Sequence, residues 1–387
     1  MIIWRCICIK EVKLKLETLK KIEKNNDNCI NCKKCFNVCP MMKEFGNSPR
    51  ELMIDILQNK SIDKNIPYSC MLCGICKIEC PKDIDLKEMF FNIRKEIFQE
   101  NQKELNDIGY RTIKFHQTNS FSRLFSKQFI KKNTKKIFFP GCSFSSYSSD
   151  LVLKTYKYLE NHIENISLVF ECCGKPTFSM GDTNKFDEYY SKIDKLFREN
   201  DIEEVIVACP NCFNTIRNNS DIKVISIWEV IKEYGLPEKL NNHYDDLNQK
   251  FLLHDPCPIR NEHNIHESVR EILDFMGIKV IEFEKNRENT ECCGSGGMVR
   301  VTNSKVAINQ TQNRANNEKT DYVISYCQSC CESMLMADKK VLHVLDFIFD
   351  VDVINKNRLT QKKTLSIKKW STRYKGIALA KKMNIET

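Results

Sequence analysis

Apolar residues in the front part of the chain recur at helical spacing. They predict a helix over 85–100, and the residues on its apolar face are Leu86, Met89, Phe90, Ile93 and Ile97. A second helix is predicted after Ser48, because a serine cap followed by proline in the first turn is typical of a helix start. Further on, Phe121, Phe125 and Phe129 are four residues apart, which predicts the packed face of another helix.

The rear half instead carries short, fully apolar runs that alternate with helical stretches such as 267–276 and 305–316. These runs begin at Ile137, Val205, Val224, Phe251, Val323 and Val341. Strands that alternate with helices indicate α/β units with a largely parallel sheet. Ligands of such sheets gather at the carboxyl ends of the strands.

The same order of elements occurs twice in the rear half, which indicates an internal duplication. In each copy, a run ending at a cysteine is followed by Cys-Cys-Gly and then by a run ending in Cys-x2-Cys. The cysteines of the first copy are Cys142, Cys172, Cys173, Cys209 and Cys212, and those of the second are Cys257, Cys292, Cys293, Cys327 and Cys330. Each set of five is therefore expected at one edge of its own sheet.

The chain contains 21 cysteines. Disulfide-rich secreted proteins are usually small and carry an export signal. The apolar opening 2–9 contains Arg5 and lacks the features of a signal peptide, so a cytoplasmic protein whose cysteines hold metal is predicted. No apolar run of about 18 residues predicts a membrane span. Buried free thiols are expected for Cys6, Cys8 and Cys331.

Eight front cysteines form two quartets with the spacing Cys-x2-Cys-x2-Cys-x3-Cys-Pro, which is that of bacterial ferredoxins. Three thiolates in a tight loop can reach one cluster, whereas the fourth points away beside a proline and serves the other cluster. One 4Fe–4S cluster is assigned to Cys29, Cys32, Cys35 and Cys80, and the other to Cys70, Cys73, Cys76 and Cys39. Zinc typically takes its thiolates from two cysteine pairs, so the spacing favours iron and sulfur.

Each rear set has five cysteines, whereas a zinc ion or a cubic 4Fe–4S cluster takes four thiolates. Either one cysteine of each set is a spare reactive thiol, or the set binds a cluster that is not a regular cube. Adjacent cysteines on a strand point to opposite faces, but Gly174 and Gly294 allow a turn that brings both sulfurs to one centre. His254 and Asp255 could relay protons near the second set, and the alternative is a plain structural pair at a strand end.

The spaced cysteines, present twice, resemble the cysteine-rich CCG domain in the B subunit of heterodisulfide reductase. The same domain occurs in iron–sulfur subunits of glycolate oxidase, lactate-utilisation enzymes and anaerobic glycerol-3-phosphate dehydrogenase. With the front quartets, the chain from Cys29 to Asp350 is similar to the fused C-plus-B, or D-type, subunit of heterodisulfide reductase. Two departures are a gap of 29 residues between Cys142 and Cys172, slightly shorter than usual, and Pro258, where many relatives have histidine.

The resemblance implies an α-helical dicluster ferredoxin domain followed by two duplicated α/β cysteine-rich (CCG) domains. The expected boundaries are 1–28 for an N-terminal extension, 29–100 for the dicluster domain, 101–135 for a helical linker, 136–245 and 246–350 for the two cysteine-rich domains, and 351–387 for a basic tail. The implied cofactors are two cubane 4Fe–4S clusters at the front and two noncubane 4Fe–4S clusters at the rear, with zinc as the rear alternative. No flavin or NAD is expected, because no Gly-x-Gly-x-x-Gly segment follows a strand.

The function that the resemblance implies is electron transfer by an iron–sulfur subunit of a flavin-dependent oxidoreductase complex. Such a subunit would work with a flavoprotein dehydrogenase or a heterodisulfide-reductase-type subunit, and with an electron carrier or a quinone. The complex would be of the heterodisulfide reductase, 2-hydroxy acid or glycerol-3-phosphate dehydrogenase type, and any membrane attachment would run through a partner. Two alternatives stay open: a catalytic thiol–disulfide reductase, and an assembly module with structural zinc in the rear half.

The net charge of +9 is concentrated in residues 354–387, which hold ten Lys or Arg and one acid, Glu386. A basic tail can bind nucleic acid, anionic lipid or an acidic protein. The favoured interpretation is a solvated helix with apolar residues such as Trp370, Ile377 and Leu379 packed underneath, rather than a nucleic-acid site.

Overall fold

A computed structural model describes residues 11–316, 320–350, 353–354 and 365–383. Cys6, Cys8 and parts of the predicted extension and tail lie outside these ranges. Among the described helices, none has the length and apolar character needed to cross a membrane.

The front cysteines lie among short helices and one antiparallel strand pair. Strand β1 (Glu11–Lys13) pairs with β2 (Ser61–Asp63). The helices here are α1 (Leu16–Asn28), α2 (Lys34–Asn37), α3 (Pro40–Phe45), α4 (Pro49–Asn59), α5 (Asn65–Tyr68), α6 (Ile75–Ile78) and α7 (Leu86–Asn101). The two predicted helices are confirmed as α4 and α7. Ser48 caps α4 and Asp85 caps α7, since each side chain accepts a hydrogen bond from a backbone N–H three residues ahead.

Residues 101–135 contain a helix and a strand. A 3-10 turn (Gln102–Asn106) leads to helix α8 (Tyr110–Ser120), and strand β3 (Lys127–Phe129) follows a short loop. The prediction that Phe121, Phe125 and Phe129 share one helix face is wrong, because Phe129 belongs to β3. This strand pairs antiparallel with the strand Ser167–Phe170, and that pairing buries Phe129 completely.

The first rear repeat is a sheet with the strand order β3-β5-β4-β6-β7, in which only β3 is antiparallel. Its other strands are β4 (Lys136–Phe139), β5 (Ser167–Phe170), β6 (Glu204–Val207) and β7 (Lys223–Ser226). Its helices are α9 (Cys142–Tyr147), α10 (Ser149–His162), α11 (Lys175–Ser179), α12 (Thr183–Glu199), α13 (Pro210–Arg217) and α14 (Ile227–Tyr234), and a 3-10 turn (Glu238–Leu240) follows. The predicted largely parallel sheet is confirmed.

The second rear repeat has the strand order β9-β8-β10-β11, all parallel, which matches β5-β4-β6-β7 strand for strand. Its strands are β8 (Phe251–His254), β9 (Val280–Glu282), β10 (Tyr322–Ser325) and β11 (Lys340–His343). Its helices are α15 (His263–Phe275), α16 (Val299–Thr302), α17 (Ser304–Asn316), α18 (Gln328–Met336) and α19 (Val344–Phe349), with 3-10 turns at Cys257–Ile259, Arg287–Asn289 and Gly296–Met298. The duplication is therefore confirmed in the topology as well as in the cysteines.

The two sheets share one apolar core. Trp228 of α14 and Tyr326 beyond β10 meet edge to face, with ring centroids 5.9 Å apart. The hydroxyl of Tyr244 donates to the backbone carbonyl of Phe347 at 2.8 Å. These contacts join the two repeats through the elements at their boundary.

Helix α20 (Ser366–Lys382) belongs to the predicted basic tail and packs on the first repeat. Ile377 and Ala380 are buried, and so is Arg373. The Arg373 guanidinium donates to the backbone carbonyls of Phe170 at 3.2 Å and Ser120 at 3.4 Å. For the described residues 365–383, the interpretation of the tail as a helix with a packed apolar face is confirmed.

Candidate metal centres

Cysteines of both front quartets meet at a first centre. Cys29, Cys32, Cys35 and Cys80 line one small cavity, and the apolar side chain of Ile84 lies in its wall. The pKa of Cys35 is raised to about 11, by burial first and then by the neighbouring thiols of Cys80, Cys29 and Cys32. Cys80 of the second quartet therefore lies with three cysteines of the first.

At the second front centre, Cys39 of the first quartet lies with three cysteines of the second quartet. Burial, followed by the thiols of Cys73, Cys70 and Cys39, raises the pKa of Cys76 well above its ordinary value. The pKa of Cys39 rises to about 12, mainly through burial and then through Cys70 and Cys73. Burial therefore favours the protonated form of Cys39 and Cys76, and binding of metal by their thiolates would release these protons.

The loops that carry the front quartets are tightly wound. Asn31, Lys33 and Leu72 have left-handed backbone, with φ of 53°, 60° and 52°. Such a conformation costs roughly 1–2 kcal/mol for a residue with a Cβ. The cost is tolerable where the winding brings several thiols around one centre.

The first rear set gathers at the carboxyl edge of its sheet. Cys142 follows β4, Cys172 and Cys173 follow β5, and Cys209 follows β6, while Cys212 lies in the first turn of α13. Cys142 accepts a hydrogen bond from Cys172, which lowers the pKa of Cys142 to about 6. Cys173 likewise accepts a hydrogen bond from Cys212, which lowers the pKa of Cys173. The five sulfurs thus form one compact group, since Cys209 also contacts Cys212.

Glycines make this convergence possible. Gly174 and Gly294 have φ of 77° and 89°, which confirms the turn predicted after each Cys-Cys pair. A Cβ at Gly141 would lie 2.9 Å from the Cβ of Cys209 and 3.1 Å from the Sγ of Cys212. Any larger residue at position 141 would therefore push the β4 loop away from the α13 cysteines.

The second rear set is equally compact. The sulfurs of Cys293 and Cys330 are 3.3 Å apart. The neighbouring groups of Cys292, Cys330 and His254 favour the thiolate of Cys293 and hold its pKa well below its ordinary value. Cys257 contacts Cys292, and Cys327 contacts Cys330. One element differs from the first repeat: Cys292 and Cys293 follow a loop with a 3-10 turn rather than coming directly after β9.

Cys331 lies outside this group. Its sulfur donates to the backbone carbonyls of Ser325 at 3.7 Å and Leu342 at 3.8 Å, between β10 and β11. Burial raises its pKa well above the ordinary value. It is a buried free thiol, as the sequence predicted.

His254 adds a nitrogen donor to the second rear set. A ring nitrogen of His254 and the sulfurs of Cys293 and Cys330 lie within 4.8 Å of one another. Nδ1 of the ring accepts a hydrogen bond from Nε of Arg314 at 3.3 Å. Nε2 is buried and has no nitrogen or oxygen partner among the described residues, and the ring hydrogen-bonds the sulfur of Cys293. The corresponding residue of the first repeat is Phe139, so the two rear centres differ in polarity.

Asp255 is a structural residue. It is completely buried, and its carboxylate accepts hydrogen bonds from Tyr326 at 2.6 Å, from Arg270 at 2.9 Å and from the backbone N–H of Arg287 at 2.7 Å. Burial raises its pKa, but hydrogen bonds from His266 and Arg270 outweigh burial and hold the pKa below its usual range. These partners leave Asp255 no free oxygen position for a proton relay.

A cavity of about 1630 Å³ connects the rear sets, a feature that was not predicted from the sequence. It is lined by cysteines of both repeats and also by Cys73 and Cys80 of the front. Lys175, directly after Cys-Cys-Gly in the first repeat, is in its wall, and burial together with Lys87 lowers its pKa to about 8. The sequence did contain a signal for this lysine, because the two copies differ directly after Cys-Cys-Gly. The first copy has lysine there, whereas the second has Ser295.

The second front centre lies directly against the second rear set. Cys73 accepts a hydrogen bond from Cys292, which lowers the pKa of Cys73 to about 6. A Cβ at Gly296 would lie 2.3 Å from the carbonyl oxygen of Met71, and a Cβ at Gly297 would lie 2.3 Å from that of Cys70. Glycine at both positions lets the two loops touch.

Arg94 connects the front with both rear repeats, and its role was also not predicted from the sequence. Its buried guanidinium donates to four backbone carbonyls, which belong to Pro67 at 2.8 Å, Cys70 at 2.5 Å, Ser179 at 2.6 Å and Gly297 at 2.8 Å. The available signal was a cation in the apolar face of α7, next to Ile93.

The donor chemistry of the four groups fits iron–sulfur clusters. Each front group offers the four thiols that a 4Fe–4S cluster requires. Each rear group offers five thiols linked through pairwise contacts, one more than a tetrahedral zinc ion uses. The buried ring of His254 faces the second rear group and hydrogen-bonds the sulfur of Cys293, so this group has a polar neighbour of a kind that can tune a bound cluster.

Comparison with known proteins assigns both parts of the chain to families. Residues 28–85 match the 4Fe-4S dicluster domain, and residues 137–217 and 251–335 each match the cysteine-rich domain. An uncharacterized iron–sulfur protein of Methanococcus maripaludis is 26% identical, over 82% of this chain and 69% of its own length.

Two further relatives are parts of named reductases. The B subunit of the fumarate reductase (CoM/CoB) of Methanothermobacter marburgensis is 22% identical, over 83% of this chain and 71% of its own length. The D subunit of the dihydromethanophenazine:CoB–CoM heterodisulfide reductase of Methanosarcina mazei is 21% identical, over 84% of this chain and 92% of its own length. The chain thus contains a 4Fe-4S dicluster domain followed by two cysteine-rich domains, and its homologues include the D subunit of heterodisulfide reductase.

Proposed function

We propose that this chain is the iron–sulfur electron-transfer subunit of a flavin-dependent oxidoreductase complex of the heterodisulfide reductase type. The four cysteine groups would hold two cubane and two noncubane 4Fe–4S clusters. The observation that carries the proposal is the contact between Cys73 and Cys292, because it joins the front and rear groups without an intervening protein layer. Clusters bound at these groups would supply one-electron transfer.

The chain's own residues would tune these centres. The backbone N–H of Leu72 donates to the sulfur of Cys70 at 3.5 Å, and that of Gly294 donates to the sulfur of Cys292 at 3.3 Å. The amide of Gln117 donates to the sulfur of Cys172 at 3.6 Å. Hydrogen bonds to the sulfurs are among the factors that set the reduction potential of a cluster, together with burial from solvent.

A partner has to provide the two-electron chemistry. We propose a flavoprotein dehydrogenase or a heterodisulfide-reductase-type subunit in that role, with an electron carrier or a quinone at the other end of the path. Relatives named as subunits of such reductases support this assignment.

Metal analysis of protein assembled without oxygen tests the proposal. We expect about sixteen irons and no zinc per chain, because four clusters of four irons occupy the four groups. About eight irons together with bound zinc would contradict it and would support an assembly module whose rear half is held by structural zinc. Reduction with dithionite should bleach the visible absorption and produce electron paramagnetic resonance signals.

A catalytic thiol–disulfide reductase is the second candidate function. The cavity between the rear sets favours it, because cysteines of both repeats border the same space. Reduced protein mixed with a small disulfide should then release two thiols for every two electrons consumed. Absence of thiol release with every cluster present would leave electron transfer as the function.

A substitution at His254 tests how the second rear centre differs from the first. His254→Phe copies Phe139 of the first repeat and removes the only imidazole near Cys293 among the described residues. We expect the iron content to stay the same and the potential of one rear centre to fall, because a polar group beside the sulfurs is lost. A redox titration followed by electron paramagnetic resonance measures this change.

His254→Gln is the matched variant, since it keeps an N–H donor and should restore most of the potential. Unchanged signals in His254→Phe would show that the imidazole serves packing alone.

A further inference from the structure

Trp370 is the centre of a surface formed by α8, the loop after it and α20. Its indole N–H donates to Nδ1 of His116 at 3.2 Å, and its ring lies 4.5 Å from the ring of Phe125. Phe115 precedes His116 and Leu124 precedes Phe125. Each of these two residues is therefore the chain neighbour of a residue that contacts Trp370.

Four large apolar side chains around Trp370 are exposed. The exposed fractions are 63% for Phe115, 61% for Leu124, 82% for Ile367 and 53% for Tyr374. Ile367 and Tyr374 lie three residues before and four residues after Trp370, so α20 presents them on the same face. Single exposed apolar residues are normal, but a group of them marks an interaction site.

The segments that build this surface contain cations and no acidic residue over 110–128 and 365–383. Lys369 pairs with Glu332, and Arg373 is buried. The exposed cations without an ion pair among the described residues are Arg111, Lys114, Arg123, Lys368, Lys375, Lys381 and Lys382. The Trp370 surface, defined by the four exposed apolar residues around Trp370, therefore belongs to segments that carry seven exposed cations and no acidic residue.

We propose that the Trp370 surface docks on a bilayer that contains anionic phospholipid. Aromatic and aliphatic side chains can enter the boundary between headgroups and acyl chains, while lysine and arginine remain at the headgroups. Duplex DNA would satisfy the cations but would leave Leu124 and Ile367 in water, so the apolar half of the surface favours lipid. Docking of this kind needs no membrane-spanning helix and is independent of the proposed electron transfer.

Flotation with vesicles tests the proposal, using the full chain with its clusters assembled. We expect binding to vesicles of one part phosphatidylglycerol and two parts phosphatidylcholine, and little binding to phosphatidylcholine alone. Each lysine near an anionic surface contributes about a fivefold factor in affinity, so Lys368→Glu/Lys375→Glu should weaken binding at least about tenfold. Lys20→Glu/Lys24→Glu makes the same charge change on exposed residues of α1 and should leave binding unchanged.

A second pair of variants tests the apolar contribution. Leu124→Ser/Ile367→Ser should weaken vesicle binding about tenfold, because apolar area no longer enters the bilayer. Leu16→Ser/Ile54→Ser removes two exposed aliphatic side chains elsewhere and should have no effect. The iron content of each variant checks that it has folded.

Three outcomes would overturn the proposal. The first is wild-type protein with full iron content that does not float with anionic vesicles. The second is equal binding to neutral and anionic vesicles. The third is binding to duplex DNA instead of vesicles, if Lys368→Glu/Lys375→Glu abolishes this binding and Leu124→Ser/Ile367→Ser does not. That result would make this a nucleic-acid surface.

Discussion

Replacing Arg94 with methionine is expected to lower the free energy of unfolding by about 3–5 kcal/mol. Methionine fills similar space but cannot donate hydrogen bonds, so four buried carbonyls, those of Pro67, Cys70, Ser179 and Gly297, lose their partner. Each unsatisfied buried acceptor costs roughly 1–3 kcal/mol, and local relaxation with water entry offsets part of the sum. Anaerobic urea titration followed by circular dichroism measures the change.

Two variants separate the hydrogen bonds of Arg94 from its charge and size. Arg94→Lys keeps the charge but offers one nitrogen in place of a planar fork, so an intermediate loss is expected. Arg50→Met makes the same exchange on a half-exposed residue of α4 and should change stability by less than about 0.5 kcal/mol. Stability of Arg94→Met equal to that of Arg50→Met would contradict the structural role of the guanidinium.

Features that depend on neighbouring residues were predictable from the sequence. The helix α7 follows from the spacing of Leu86, Phe90 and Ile93, and its start follows from Asp85. The strands before Cys142 and Cys257 follow from short apolar runs, and the duplication fixes their equivalence. In each case the pattern and the element that it predicts occupy the same stretch of chain.

Features that depend on distant segments were not predictable in the same way. The spacing of Phe121, Phe125 and Phe129 fits a helix, yet Phe129 lies in strand β3. This strand forms because the edge of β5, nearly forty residues later in the chain, offers free backbone groups for pairing. The contact of Gly297 with the loop of Cys70 likewise exists only after the front and rear dock. A local pattern contains no information about the partner in such a contact.

The rear sets combine features that depend on neighbouring residues with features that depend on distant segments. Five sulfurs at each sheet edge were expected from the strand ends, and the structure places neighbouring members of each set in contact, such as Cys142 with Cys172 and Cys293 with Cys330. The cavity between the sets and the position of His254 beside Cys293 arise from the packing of one repeat on the other elements. The sequence shows histidine in one copy and Phe139 in the other, and it already indicated that His254 lies near the second set, but it does not show which cysteines the ring contacts.

Serine at Cys330 is expected to remove about four irons per chain, whereas serine at Cys331 should remove none. The sulfur of Cys330 is 3.3 Å from that of Cys293, inside the second rear set. The sulfur of Cys331 instead donates to the carbonyls of Ser325 and Leu342. Adjacent residues of one helix therefore serve as a matched pair, and iron analysis with electron paramagnetic resonance measures the difference.

The double variant Cys330→Ser/Cys331→Ser completes this test. If Cys331 could replace Cys330 as a ligand, the single variant Cys330→Ser would keep its iron and only the double variant would lose it. We expect the double variant to behave as Cys330→Ser does, because Cys331 would have to break its contacts with Ser325 and Leu342 and turn through the sheet to reach Cys293. A serine hydroxyl at position 331 can keep donating to those carbonyls, so the fold around β10 and β11 should hold. Retention of all iron in Cys330→Ser, or its loss in Cys331→Ser, would contradict the proposed set of five, since only the sulfurs that face Cys293 can share its cluster.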